Sequence, residues 1–450
     1  MRKSIFSIVL LLATVLGASA MSVTTAPGEL SKQVGDKNVT QLIVTGSVDV
    51  RDFAFIADNL LSLSLLDMSG VEVEAYTCRG DECYFGSRSA FAAGELPQYA
   101  FFGSALRSVT LPAQLSGIGE AAFAGCSALE AISIPESVTT IGENAFNSSG
   151  LKQVAVNVRQ IGAGAFADCT QLASVQMGQN VLSIGDRAFA GCTKLTTVGV
   201  PEGSPLHSIG EEAFMGSALA SFDFALCPNV EKVGKWAFAG TKIKKAKLPE
   251  SLADVPEGVF FGSASVDNIS VPEYAQTIGD YAYYGNTSRN NSLKLPVDLS
   301  YIGDNAFEGS RPSYVVAYPL TVPELGKEAF KGMNGEHRTV LYVEKASIPS
   351  YQSESQWSDF DIQDIAATDA PMAGADLAIR AWFDGSTLCI TASDEIESVS
   401  IFDDGGTLCG TTRGNSCEVR IDTSAITSGI VLAAVKLEGG ETRVFKLLRK

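Results

Sequence analysis

Imidazole is almost absent from this chain. His207 and His337 are the only two histidines in 450 residues, which leaves little material for acid–base or metal chemistry near neutral pH. Positive charge is also scarce: 33 Lys and Arg stand against 51 Asp and Glu, a formal charge of −18. Such a chain is a poor match for phosphate backbones or anionic lipid, so nucleic acid and general membrane-surface binding are set aside. No long apolar run follows the first twenty residues, and a span needs roughly 20 such residues, so no transmembrane segment is expected. There is no Cys-x-x-Cys or His-rich spacing, hence no metal or other cofactor is called for. No nucleophile, base and orienting group are visible together, so an enzyme is not expected. What is present forms cores: 46% of residues are apolar and only 19% charged, the balance of a folded chain of two to four domains.

The first twenty residues read as an address. Arg2 and Lys3 precede an apolar run from Ile5 to Leu16, and Ala18-Ser19-Ala20 supplies the small residues a signal peptidase requires. No cysteine follows at the cleavage site, so a lipid anchor is not indicated, and the mature chain is expected to start near Met21 and to be exported. Export permits disulfides, and nine cysteines is an odd number, so at least one thiol is left over or pairs elsewhere.

A repeat dominates the middle of the chain. Its unit reads I-G-x-x-A-F-x-G-C/S, then L-x-x-V-x-I-P-x-x-V, with a clear copy from Ile118 to Cys126 continuing through Leu129, Ile132, Ile134 and Pro135. Copies start at Leu96, Ile118, Ile141, Ile161, Ile184, Ile209, Val233, Val255, Ile278, Ile302 and Leu325, in steps of 20 to 25 residues. The sixth position is Phe in ten of eleven copies, with Tyr283 the exception, and the fifth is Ala in ten, with Val259 the exception. The second half of the unit has the alternation of a short strand with one buried face, stopped by proline. The Gly-x-x-Ala-Phe half is expected to be a tight return or a short helical piece, with Ala allowing close approach and Phe filling the space behind the strand. No unit buries its face alone; stacking produces one continuous core and a phenylalanine ladder. At ~4.8 Å per strand, the parallel sheet runs on the order of 50 Å.

These residues resemble the BspA-like leucine-rich repeats of bacterial surface proteins over about 96–365, with a weaker extension over 28–76, where 42–46 and 63–70 read as strands of an irregular cap. Val343, Tyr351, Trp357 and Phe360 look like the family's closing segment. The resemblance implies an exported or surface-displayed binding scaffold, in several members an adhesin for host matrix proteins. The expected fold is therefore a leucine-rich-repeat solenoid with a parallel sheet on the concave face, followed by a small C-terminal β-sandwich. The expected order is leader 1–20, cap with irregular repeats 21–95, solenoid 96–365, linker 366–376 and sandwich 377–450. In the last segment, alternating runs at 388–391, 399–402, 419–421, 430–435 and 444–447 predict short strands. Its layout looks like the sorting domains of type IX secretion, with a plain accessory β-domain as the other reading.

Three features are candidates for binding. Outward strand positions would line the concave face with small and polar side chains, among them Ser133, Gln153, Gln176 and Asp223; with few exposed rings there, a protein or peptide suits it better than a sugar. Lys232, Lys235, Lys242, Lys244, Lys245 and Lys247 form a basic cluster, with Lys245 and Lys247 at outward strand positions facing an acidic partner. Cys78-Arg79-Gly80-Asp81-Glu82-Cys83 places an Arg-Gly-Asp tripeptide between two cysteines; the motif resembles those integrins read, and a Cys78–Cys83 disulfide would preorganise it. The bland readings stand beside these: solvated faces and a stapled loop. Cys126, Cys169 and Cys192, each ninth in its repeat, read as a buried ladder of small side chains. The acidic residues after Ile-Gly, such as Glu120, Asp186 and Asp280, read as first-turn residues of the short return helix. The function expected is a surface adhesin or host-interaction protein. A structural surface component and a glycan- or nutrient-capture module are the alternatives.

Overall fold

Most repeats contribute two extended pieces, one long and one short, so the stack carries parallel strands on two faces rather than one. The computed structural model describes residues 19–367 and 380–448, apart from 79–84, 86–88, 245–246, 264–268, 287–291, 334–337, 385–386, 404–406, 425–429 and 438–441. The chain divides into two compact units, one through residue 367 and one from residue 368. The first is a parallel solenoid of about 14 turns.

On its long-strand face, Ala20–Thr25, Gln41–Val48, Leu65–Val73 and Ser108–Thr110 form the opening sheet, followed by Gln153–Val156, Ser174–Met177 and Thr197–Gly199. The last sheet joins Ser292–Leu295, Tyr314–Ala317, Val340–Val343 and Asp361–Asp364. Strand alternation puts Val154, Val156, Val175 and Met177 inside, with Gln153, Ala155 and Gln176 exposed. The second sheet consists of two-residue strands ending at the first repeat position, from Glu95–Leu96 through Lys232–Val233, then again from Asp254–Val255 to Glu324–Leu325.

The returns are turns, not helices, which corrects the expectation of a helical piece. In all eleven copies the fourth and eighth positions lie in the left-handed region; the fourth includes Ala121 (φ 49°), Arg187 (φ 55°) and Trp236 (φ 58°). A left-handed residue every fourth position cannot continue an α-helix. Backbone bonds to the next coil replace the helical ones: Ala121, Phe123 and Gly125 donate N–H to Glu143 O, Ala145 O and Asn147 O at 2.7–2.9 Å. The acidic third residues therefore have a different role from the one expected. Asp186 Oδ1 accepts Glu211 N–H at 2.8 Å, and Asp280 and Asp304 accept the corresponding N–H of Asp304 and Lys327 at 2.7 Å. Glycine at the second position allows the coils to approach. A Cβ on Gly162 would lie 2.6 Å from the backbone of Gly142.

Inside, the sixth-position rings stack from Phe101 to Phe330. Phe123, Phe146, Phe166 and Phe189 follow one another at 5.1–5.4 Å and within 3° of parallel. Edge-on rings close both ends, Phe53 against Phe101 and Phe360 against Phe330. Phe53 belongs to a helix, Val50–Asn59, whose capping box the sequence reading missed. Buried Asp52 accepts N–H from Gly28, Leu30 and Asp49 at 2.7–3.0 Å. At the other end, Trp357 Nε1 and Tyr351 Oη donate to Pro323 O and Pro319 O.

The second unit is a small antiparallel β-sandwich. Two runs expected as separate strands are the ends of one strand, Thr387–Phe402, which pairs with Leu408–Asp422 over both ends. Arg380–Asp384 pairs with its first end and Ile430–Leu437 with its last. The register shifts between Thr391 and Ile396, and Leu388 and Ile390 before the shift share one core with Val399 and Ile401 after it.

Candidate functional site

The long-strand face offers its outward side chains in straight rows, because parallel coils in register place equivalent residues side by side. One row joins Gln153, Ser174 and Thr197, and its neighbour joins Ala155, Gln176 and Gly199. Gln176 lies along its own row, with Nε2 donating to Gly199 O at 3.3 Å, and a Cβ on Gly199 would meet its Oε1 at 2.2 Å. Further along, Ser292, Tyr314, Val340 and Asp361 form one row, and Lys294, Val316, Tyr342 and Gln363 the next, with Val316 buried within its row. Tyr314 and Tyr342 meet edge to face at 5.7 Å. The sequence reading of this face as small and polar missed these two rings.

Two expected members leave the rows. Ser133 is exposed but outside any strand. The following coil is shorter, so the segments start together, with Lys152 N–H donating to Glu130 O at 3.0 Å, and then diverge. Asp223 is not an outward strand residue either. It accepts Ala225 N–H at 3.0 Å and caps a 3₁₀ turn, Phe224–Leu226. The chain turns there to bury Phe222 and Phe224 against Phe238.

The basic cluster is divided between faces. Lys232 lies in a short strand, and Lys235, in the adjacent turn, pairs with Glu257 at 2.7 Å. Lys247 bridges to Ser270 on the long-strand side and pairs with Glu250 at 2.8 Å. Lys245 lies outside the described residues. Lys232 and Lys235 thus lie on a different face from Lys247, because the coil turns between them.

The repeat architecture accounts for these placements. A family model for the BspA type leucine-rich repeat region matches residues 94–220 and 207–336, in 6 copies. The chain belongs to the BspA-type leucine-rich repeat family. Among solved structures it is similar to a leucine-rich repeat protein from Bacteroides ovatus ATCC 8483, 18% identical, covering 73% of this chain and 84% of that one with a TM-score of 0.43. It is also similar to the pneumococcal vaccine antigen PcpA, 16% identical over 61% of this chain and 85% of the other, TM-score 0.35. A leucine-rich cell surface protein from Faecalibacterium prausnitzii A2-165 is 18% identical over 62% and 79%, TM-score 0.28. No curated protein matches the chain.

In this BspA-type stack the ninth position is a donor ladder. Cys126, Cys169 and Cys192 donate S–H to the carbonyls of Phe101, Phe146 and Phe166 at 3.0–3.1 Å, and Ser263 and Ser310 do the same toward Phe238 and Tyr283. Burial pushes the Cys169 thiol up to about 11 and Cys192 higher still, so both remain protonated and unreactive at neutral pH. His207 is exposed just before the short strand Ser208–Ile209, and His337 lies outside the described residues. Among the described residues no three His, Cys, Asp or Glu side chains are grouped to hold a metal, and no helix is long and apolar enough to cross a membrane.

Arg79, Gly80, Asp81 and Cys83 also lie outside the described residues. The base of their insertion is described: Tyr76–Thr77 pairs antiparallel with Ala90–Phe91, and Cys78 N–H donates to Ser89 O at 2.8 Å. Arg51, ion-paired to the buried Asp49 at 2.5 Å, lies 4.7 Å over the Tyr76 ring and ties this base to the cap helix.

Proposed function

We propose that this protein is an exported, non-enzymatic surface scaffold that binds protein ligands through the long-strand face of its solenoid. The observation that carries the reading is the pair of neighbouring rows that contain Tyr314 and Tyr342. They combine an extended polar surface with two half-buried rings, and tyrosine is enriched at protein contacts because it supplies area at low entropic cost. The leader-like first twenty residues support export, and a C-terminal sorting role belongs to the same reading. The Arg79-Gly80-Asp81 loop is a second contact in it, carried on a base anchored by Arg51, with an integrin as its partner.

The test uses the mature chain, 21–450, against a panel of host matrix proteins and integrins. Tyr342→Ala, Lys245→Glu with Lys247→Glu, and Asp81→Ala are compared with the unchanged protein. Saturable binding weakened by Tyr342→Ala supports the long-strand face. Loss only in Asp81→Ala moves the contact to the loop, and loss only in the lysine variant moves it to Lys245 and Lys247. No binding to any panel member overturns the adhesin reading in favour of a structural surface component.

A further inference from the structure

The turn side of the solenoid carries something the long-strand side lacks: a cluster of four aromatic rings at the surface. Trp236 and Tyr281 are fourth-position residues, while Phe261 and Tyr284 are seventh-position residues. All four are half-buried, unlike the sixth-position rings of the core. Trp236 meets Phe261 edge to face at 5.2 Å and Tyr281 at 6.2 Å, and Phe261 stacks on Tyr284 at 4.8 Å.

The arrangement is made by a substitution in the repeat. Between Trp236 and Tyr281 the fourth position is Gly258, and a Cβ there would lie 2.3 Å from Trp236 Cδ2 and Cε3. The missing side chain lets the indole lie across the next coil and reach the one after it. Any other residue at 258 would displace the ring.

The polar tips separate these rings from the structural ones. Tyr283, Tyr351 and Trp357 each donate to a backbone carbonyl. Trp236 Nε1, Tyr281 Oη and Tyr284 Oη have no protein partner among the described residues. Carboxylates lie beside them: Glu257, paired with Lys235, precedes Gly258, and Asp280 precedes Tyr281.

We infer that this cluster is a binding platform for an uncharged pyranose glycan. Ring faces receive the C–H face of a sugar, while the free Oη and Nε1 groups and the carboxylates hydrogen-bond its hydroxyls; aromatic rings with one polar end serve both needs. With the Glu257 charge matched by Lys235, it is Asp280, next to Tyr281, that disfavours anionic sugars by like-charge repulsion. The platform lies on a different side of the coil from the protein-binding face proposed above, so either holds without the other.

The experiment titrates the mature chain with neutral hexasaccharides of glucose, mannose, galactose and N-acetylglucosamine, and with a polyuronate. Binding is read by tryptophan fluorescence and by calorimetry. At least one neutral oligosaccharide is expected to bind saturably and shift the emission, with the polyuronate inactive. Trp236→Ala and Tyr284→Ala are each expected to weaken binding at least ~tenfold, and Gly258→Ala to do the same while keeping every ring. Phe102→Ala, which removes an exposed ring from another coil (62% exposed), leaves it unchanged. Unaltered thermal melting and far-UV circular dichroism identify the variants that remain folded. No saturable binding by any neutral sugar overturns the inference, as does binding that survives in folded Trp236→Ala or is matched by the polyuronate.

Discussion

The coils from Ile118 to Val233 and the coil that starts at Val255 share one repeat yet stack differently. In the first group, neighbouring rings from Phe123 to Phe238 lie 5.1–5.4 Å apart and within 8° of parallel. Around Phe260 the separations widen to 5.9 and 5.8 Å and the rings tilt by 22° and 28°. The short-strand sheet also ends at Lys232–Val233 and restarts at Asp254–Val255. Two substitutions account for both changes. Pro256 occupies the close-approach glycine position and has no N–H to match Gly234 N–H, which donates to Ile209 O at 2.8 Å. Val259 replaces the alanine that elsewhere lets the ring settle. Regular stacking thus depends on two small residues per turn, and where both are lost the sheet breaks while the core continues.

The largest effect should come from the regular part. Phe166→Ala removes a fully buried ring stacked on both sides, and is expected to cost about 3–5 kcal/mol. Phe260→Ala, in the looser coil, should cost measurably less; equal shifts in a urea titration would break the comparison. Gly162→Ala puts a methyl against the backbone of the preceding coil, with an expected loss of about 1–3 kcal/mol. Thermal denaturation unchanged by that substitution would show that the coils separate freely.

The cap provides a pH-dependent contrast. Burial holds the Asp52 carboxyl above its usual range, despite three backbone N–H donors. The folded state therefore retains this proton to higher pH than the unfolded chain, so the group's contribution to stability falls as pH rises from the unfolded pKa through the folded one. Asp52→Asn should remove that slope, and turning one amide donor toward backbone donors should cost about 1–3 kcal/mol. Denaturant titrations at several pH values test both expectations. A persisting slope would assign it to another group.

Thiol labelling compares the two units. Exposed Cys409 should react promptly with a disulfide reagent, whereas Cys126, Cys169 and Cys192 react only on unfolding. The smallest effect is expected for Pro256→Gly. It restores an N–H and removes a side chain, so a new amide at residue 256 that is protected from exchange, with melting nearly unchanged, would identify Pro256 as the break. Exchange as fast as in a free turn would shift the cause to Val259.

Much of the fold was legible because every rung repeats the same demand. Phe at the sixth position, Ala at the fifth and Gly at the second each answer a packing need that recurs in each coil. The turn conformation was not legible. Its left-handed fourth residue is Gly or Asn at Asn144, Gly164, Gly258 and Asn305, but elsewhere a residue such as Tyr99, Ala121, Arg187, Glu212 or Trp236, side chains that give no signal for a positive φ, and bonds to the next coil hold them there. The recurring acids were visible, but their partner is a backbone N–H one coil away, which no local reading reaches.

Sites follow the same division. Gln153 and Gln176 could be placed on one face from alternation alone. Ser133 and Asp223 could not, because unequal coil lengths and the burial of Phe224 redirected their segments. Lys232 and Lys247 looked like neighbours until the coil put them on different faces, and Trp236, Phe261, Tyr281 and Tyr284 looked unrelated until three coils stacked. The sequence by itself determined the period, the buried rungs and the family, since these repeat along the chain. The tertiary structure alone decided which side chains become neighbours across coils, because the sheet bonds, left-handed turns and close glycine contacts that set their alignment all form between repeats.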